Sequence, residues 1–154
     1  MSPLPRVSRR TCFAFCALLT LPLVATAADV SDAWARSTVK GQMASVAYMT
    51  VTSATPGRLV GVTSPAAAVV QVHEMSMQGT VMKMRAVDAV DLPAGKPVEL
   101  KPGGIHVMLM DLRQPLASGD RVPLILRIEG PDRKIVEQAV SVEVRDAAPM
   151  MKSH

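Results

Sequence analysis

The stretch Val69-Val70-Gln71-Val72-His73-Glu74-Met75-Ser76-Met77-Gln78-Gly79-Thr80-Val81-Met82-Lys83-Met84-Arg85-Ala86-Val87 holds two β-prone runs either side of a Gln78-Gly79 turn signal. Residues 69–75 and 81–87 read as strands, and a glycine between them suits a short hairpin loop. The same rhythm recurs along the chain: further candidate strands are 30–36, 44–52, 58–63, 98–101, 106–112, 122–129 and 134–144. Turn signals separate them at Pro56-Gly57, Pro93 to Gly95, Pro102 to Gly104, Ser118-Gly119 and Gly130-Pro131. Many short strands at this spacing predict an all-β sandwich or barrel of one domain. Residues 140–144 alternate apolar and polar side chains, as a half-buried strand does. Three consecutive alanines within 64–70 leave room for a single helical turn, which would not alter the class.

Ahead of this domain the chain carries the marks of an export signal. Arg6, Arg9 and Arg10 make a positive n-region, residues 11–24 are apolar, and Ala25-Thr26-Ala27 is a small-residue cleavage site. Residues 1–27 are therefore expected to be removed after Ala27, leaving a domain over 28–146 and a loose tail over 147–154. The apolar stretch is shorter than the roughly 20 residues that span a bilayer, and no later one is longer, so no membrane-spanning segment is expected. Ser8-Arg9-Arg10 leaves a twin-arginine route open beside the ordinary secretory one. Both cysteines, Cys12 and Cys16, fall within the signal, and neither stands at the cleavage site as a lipid-anchored cysteine would. The expected domain thus has no thiol: a hydrophobic core must hold it, and a cysteine-ligated blue-copper centre is excluded. Losing Arg6, Arg9 and Arg10 lowers the formal charge from +4 to +1, too little for a nucleic-acid footprint. Phe13 and Phe15 leave as well, so Trp34 and Tyr48 are the only aromatics remaining to stack on a base or sugar.

Chemistry concentrates between His73 and Met110. Six methionines and two of the three histidines fall there, in the hairpin already quoted and in Gly103-Gly104-Ile105-His106-Val107-Met108-Leu109-Met110. Methionine is usually flexible core filler, and histidines beside it change that expectation. On a strand, His106, Met108 and Met110 share one face, and so do Met82 and Met84. Donors on residues i and i+2 begin about 6.6–7 Å apart, and the long thioether arm of Met108 can close the gap. A hairpin at Gln78-Gly79 could fold Met84 back toward His73. Two imidazoles and two thioethers make a neutral, soft donor set that favours Cu(I) over Zn(II), Mg(II) or Ca(II). Protons compete for free imidazole near its ordinary pKa of about 6.5, so acid should weaken metal binding. No serine–histidine–acid set and no glycine-rich phosphate loop is present, so no enzyme is expected.

The gaps between these donors resemble a known signature. His73, ten residues, Met84, twenty-one residues, then His106-x-Met108 is similar to the H-x(10)-M-x(21)-H-x-M pattern of the periplasmic copper chaperones called PCuAC. Ala33-Trp34-Ala35-Arg36, Ala47-Tyr48-Met49-Thr50, Val81-Met82-Lys83-Met84-Arg85, Leu100-Lys101-Pro102-Gly103-Gly104 and Gly119-Asp120 also look like that family, over about 30–129. The resemblance implies a cupredoxin-like Greek-key β-barrel holding one Cu(I) per monomer through His73, Met84, His106 and Met108. It also implies a periplasmic carrier that delivers copper to a recipient such as the dinuclear copper centre of cytochrome c oxidase, often beside a Sco-type thiol protein. A copper buffer without a dedicated recipient, and a structural β-sandwich without metal, remain the rivals.

Met75, Met77, Met82 and Met110 could shield the metal, lend sulfur during transfer or simply pack, and packing is expected of Met110 and Met49. Glu74 is expected as a solvated carboxylate on the face opposite His73. Lys83, Arg85 and Lys101 could rim the site for an acidic partner or be ordinary surface. Met150, Met151 and His154 are also soft donors, but an unordered tail would first have to be organised around a metal.

Overall fold

The computed structural model describes residues 28–146. The expected signal peptide and tail, with the roles considered for Cys12, Cys16, Met150, Met151 and His154, lie outside the described residues. Ten strands form: β1 (Asp29–Arg36), β2 (Ala44–Thr52), β3 (Gly57–Thr63), β4 (Ala67–Gln78), β5 (Val81–Ala86), β6 (Val90–Leu92), β7 (Pro97–Leu100), β8 (Ile105–Leu112), β9 (Arg121–Glu129) and β10 (Ile135–Arg145). They join in the order β5-β4-β8-β2-β1-β10-β9-β3-β6, with β7 also on β2. β1 and β10 run parallel, with Trp34 opposite Glu143, while the other strand pairs are antiparallel. Strands distant in sequence thus adjoin in the sheet: β8 lies between β4 and β2, and β10 lies beside β1. Such crossovers are what a Greek-key arrangement requires.

The period of two explains where the core sits. β2 buries Ser45, Ala47, Met49 and Val51 in strict alternation, and β9 does the same with Val122, Leu124, Leu126 and Ile128. Val107 and Leu109 of β8, Val72 of β4, and Val142 and Val144 of β10 meet them in one core cluster. Burying each of the larger aliphatic side chains contributes about 1.5–3 kcal/mol, which a fold without thiols depends on. Met49 is core, as expected, at 2% exposure. Met110 is not: it is half-buried on the outer side of β8.

The expected strands are present, with two differences. β4 is longer than expected at both ends, and Ala67, in the alanine run, begins the strand rather than a helical turn. Its backbone pairs with β8, Ala67 lying opposite Leu112, so sheet hydrogen bonding overrides the local preference of alanine. β6 was not expected because three residues carry too little pattern. It completes an edge by pairing with β3, and Val90 and Leu92 enter the core.

Leu124→Ala should therefore cost about 2–5 kcal/mol in chemical denaturation. Met77→Ala should stay within about 0.5 kcal/mol of wild type, because that side chain is 61% exposed. Equal losses in the two variants would contradict this division between core and surface.

Candidate metal centre

β4 has β5 on one side and β8 on the other, and side chains directly opposite one another across an antiparallel ladder share a face. Val72 lies opposite Val107, and both point into the core. One residue on, His73 lies opposite His106 on the outer face, their ring centroids 6.1 Å apart and tilted by 54°. Gln71 pairs with Met108, so Met108 is two residues from His106 and diagonal to His73.

On the other side His73 faces Ala86, and Met75 faces Met84. Met84 is therefore not opposite His73 but diagonal to it, a spacing of about 7–8 Å that long side chains can span. His73, Met84, His106 and Met108 thus share one outer face, joined there by Met75, Met77, Met82 and Met110. Tyr48 and Trp34 continue that face across β2 and β1, paired with each other and with ring centroids 4.8 Å apart.

Two turns place these strands. Gln78 pairs with Val81, leaving Gly79 and Thr80 as a two-residue hairpin loop in which Gly79 takes a φ of 64°. A positive φ at the first loop residue is the glycine requirement of a type II′ turn. Lys101-Pro102-Gly103-Gly104 has proline and then a glycine of φ 82°, the residue pattern of a type II turn, closed by Gly104 N–H donating to the Lys101 carbonyl at 3.1 Å. That turn delivers Gly104 to the start of β8.

Each imidazole is fixed by the residue two places earlier in the chain. His106 Nδ1–H donates to the Gly104 carbonyl at 3.0 Å, and His73 Nε2–H donates to Gln71 Oε1 at 3.1 Å. The remaining ring nitrogens, His106 Nε2 and His73 Nδ1, are buried and have no hydrogen-bond partner in the protein. With those tautomers each presents a lone pair. A buried acceptor left without a donor costs about 1–3 kcal/mol, and a shared cation would satisfy both at once. A ligating histidine whose second nitrogen is tied to a carbonyl or amide has the organisation metal sites use. Gln71 was not singled out from the sequence, although the period of two puts it on the face of His73; Gly104 acts through its backbone carbonyl, which side-chain alternation does not report.

Burial, and then the nearby charge of His106, hold His73 below the ordinary histidine pKa. Both effects penalise the imidazolium, so the neutral, ligating form persists to lower pH than in a free histidine. Glu74 points the other way and, rather than being simply solvated, accepts from Arg85 Nη2 at 2.6 Å and Nε at 3.0 Å. Lys83 and Arg85 lie on that opposite face too, and Lys101 pairs with Glu99 at 2.7 Å, so no free basic rim of these three surrounds the histidines. Among the described residues no group of three or more His, Cys, Asp or Glu side chains is assembled, so a metal taken up by both imidazoles would draw its other donors from sulfur.

A family model described as LpqE-like matches residues 28–144. Lxx21020 of Leifsonia xyli subsp. xyli (strain CTCB07), named as a lipoprotein, is 35% identical over 100 residues, or 64% of this chain. The match spans 60% of that relative's length. Among solved structures, the copper-bound PCuAC domain from PmoF2 superposes with a TM-score of 0.64 at 27% identity, covering 79% of this chain and 95% of that domain. The Cu(I) form of DR1885 from Deinococcus radiodurans gives 0.55 at 29% identity, over 79% and 82%. The expected cupredoxin-like β-barrel is therefore the fold of this chain.

Because its folded pKa is lowered, His73 disfavours acid. Its contribution to stability is complete above about pH 6.5 and is lost as pH falls through the depressed folded value. Proton titration by NMR should place the His73 midpoint below that of an unstructured histidine. A midpoint at or above about 6.5 would contradict the desolvated environment described here.

Proposed function

The chain belongs to the LpqE-like family, and on that premise we propose that it is an exported Cu(I) carrier with its resting site at His73, Met84, His106 and Met108. The observation that carries this reading is the pair of buried, unpartnered imidazole nitrogens on facing strands, within a face otherwise lined by thioethers. Relatives of the same fold described with copper and with Cu(I) support it. The donor set is uncharged, which suits a soft monovalent cation better than a hard divalent one.

The same geometry supports a delivery role. His106 is 2% exposed and held by Gly104, so it anchors the site from beneath. Met84 is 47% exposed on the edge hairpin, where an incoming donor can displace a thioether first. The chain's residues hold and release the ion without changing its oxidation state, so the reading is a carrier, not an enzyme. The recipient proposed is a copper-accepting protein, such as the dinuclear copper centre of cytochrome c oxidase, with a Sco-type thiol protein as a second candidate. The working domain proposed is residues 28–146, monomeric and periplasmic, after removal of residues 1–27.

Anaerobic Cu(I) titration against a competing chelator tests the site. His73→Ala, His106→Ala, Met84→Leu and Met108→Leu should each weaken the tightest equivalent, by about tenfold or more for each histidine. Retention should fall in acid as protons compete for the imidazoles, and the lowered pKa of His73 moves that loss toward lower pH. A carrier should also load an apo copper-acceptor domain faster than a Cu(I)–chelator complex of equal affinity does. Equal rates would favour a buffer, and unchanged copper binding in both histidine variants would remove the site altogether.

A further inference from the structure

β8 accompanies β4 only as far as the Glu74–Ile105 pair, with one more bond from Met75 N–H to the Gly104 carbonyl. Past that point β4 has only β5 beside it, and every residue of β5 is exposed. The hairpin end therefore stands clear of the sandwich.

Its two faces differ sharply in chemistry. Cross-strand pairing puts Ser76 opposite Lys83 and Glu74 opposite Arg85 on one face, while Met75–Met84 and Met77–Met82 fill the other. Val87 N–H donates to the Val72 carbonyl, which fixes the alternation and makes both methionine pairs non-hydrogen-bonded ones. Their Cα atoms then approach to about 4.5 Å, the closer of the two spacings in a ladder. Packing does not account for them, since Met77 and Met82 are 61% and 62% exposed. Burial there would be served equally by leucine or valine, whereas only methionine among the apolar residues adds a soft donor.

We propose that Met75, Met77 and Met82 form a second, weaker Cu(I) site at the end of the hairpin, through which the ion enters and leaves the histidine site. Met84, opposite Met75 and diagonal to His73, is the sulfur that both sites can reach. Cu(I) passes inward by exchanging one thioether at a time, and imidazole nitrogens replace sulfur only at the base. The relay rests on the histidine–methionine site as the inner resting place, although the outer site can be detected without it.

The test is Cu(I) titration of the whole protein under weak and strong chelator competition, with Ag(I) as a redox-inert probe followed on methionine methyl NMR signals. Wild type should bind two equivalents, the second about tenfold or more weaker, and that second equivalent should shift the Met77 and Met82 methyls. Met77→Leu/Met82→Leu keeps shape and apolarity, so it should bind one equivalent at undiminished affinity and load an acceptor about tenfold more slowly. Two equivalents in that variant, or Met77 and Met82 methyls unmoved by Ag(I), would overturn the outer site. An unchanged loading rate would overturn the relay, and a slower rate with copper stoichiometry intact would identify the hairpin as a protein-docking surface instead. His73→Ala/His106→Ala separates the two proposals: it should lose the tight equivalent alone and retain the hairpin shifts.

Discussion

Hydrogen bonding between β4 and β8 sets His73 directly against His106 while Val72 and Val107, one residue away, meet inside the core. A slip of one residue would exchange the two faces, driving imidazoles into the apolar interior and valines onto the surface. Core burial therefore fixes the register, and the register fixes the site. The two histidines need no further device to meet, and Met84 and Met108 follow at diagonal and i+2 positions from the same pairing.

Given that register, the electrostatics of the face follow from what is turned away. Glu74, Lys83 and Arg85 alternate onto the reverse of the hairpin, where Glu74 and Arg85 neutralise one another. What remains beside the imidazoles is uncharged and polarisable. Such a face gives little to a hydrated divalent ion, whose desolvation must be repaid by charge, and more to a soft monovalent one. The same desolvation that depresses the pKa of His73 keeps its lone pair free of protons.

The sequence disclosed the class and most strands because short β-prone runs recur between turns that carry glycine or proline, and because 140–144 alternates within β10. It also disclosed that His106 and Met108 share a face, since that follows from a period of two alone. What it could not disclose, beyond the hairpin at Gln78-Gly79, was which strands adjoin. The facing of His73 by His106 is a non-local pairing, and no local pattern reports it. The same limit hid the carbonyl of Gly104, a backbone group that sequence does not single out, and the Arg85–Glu74 pair that removes a basic rim. β6 was missed for a different reason: three residues are held by β3, not by their own propensity.

Where stability resides bears on how such a site can release its ion. The buried aliphatic residues of β2, β3, β8, β9 and β10 form their cluster with none of the four candidate donors inside it. Folding is therefore not bound to metal as it is in small zinc domains, where binding energy is folding energy and removal unfolds the chain. The imidazoles are oriented by Gln71 and Gly104 whether or not an ion is shared between them. Imidazoles already oriented lose little conformational freedom on loading, whereas the exposed arm of Met84 must be ordered. In the proposed site thioethers would matter doubly: they would choose the ion by softness, and Met84, a neutral, flexible ligand on the exposed hairpin, would be the bond exchanged while the core stays intact.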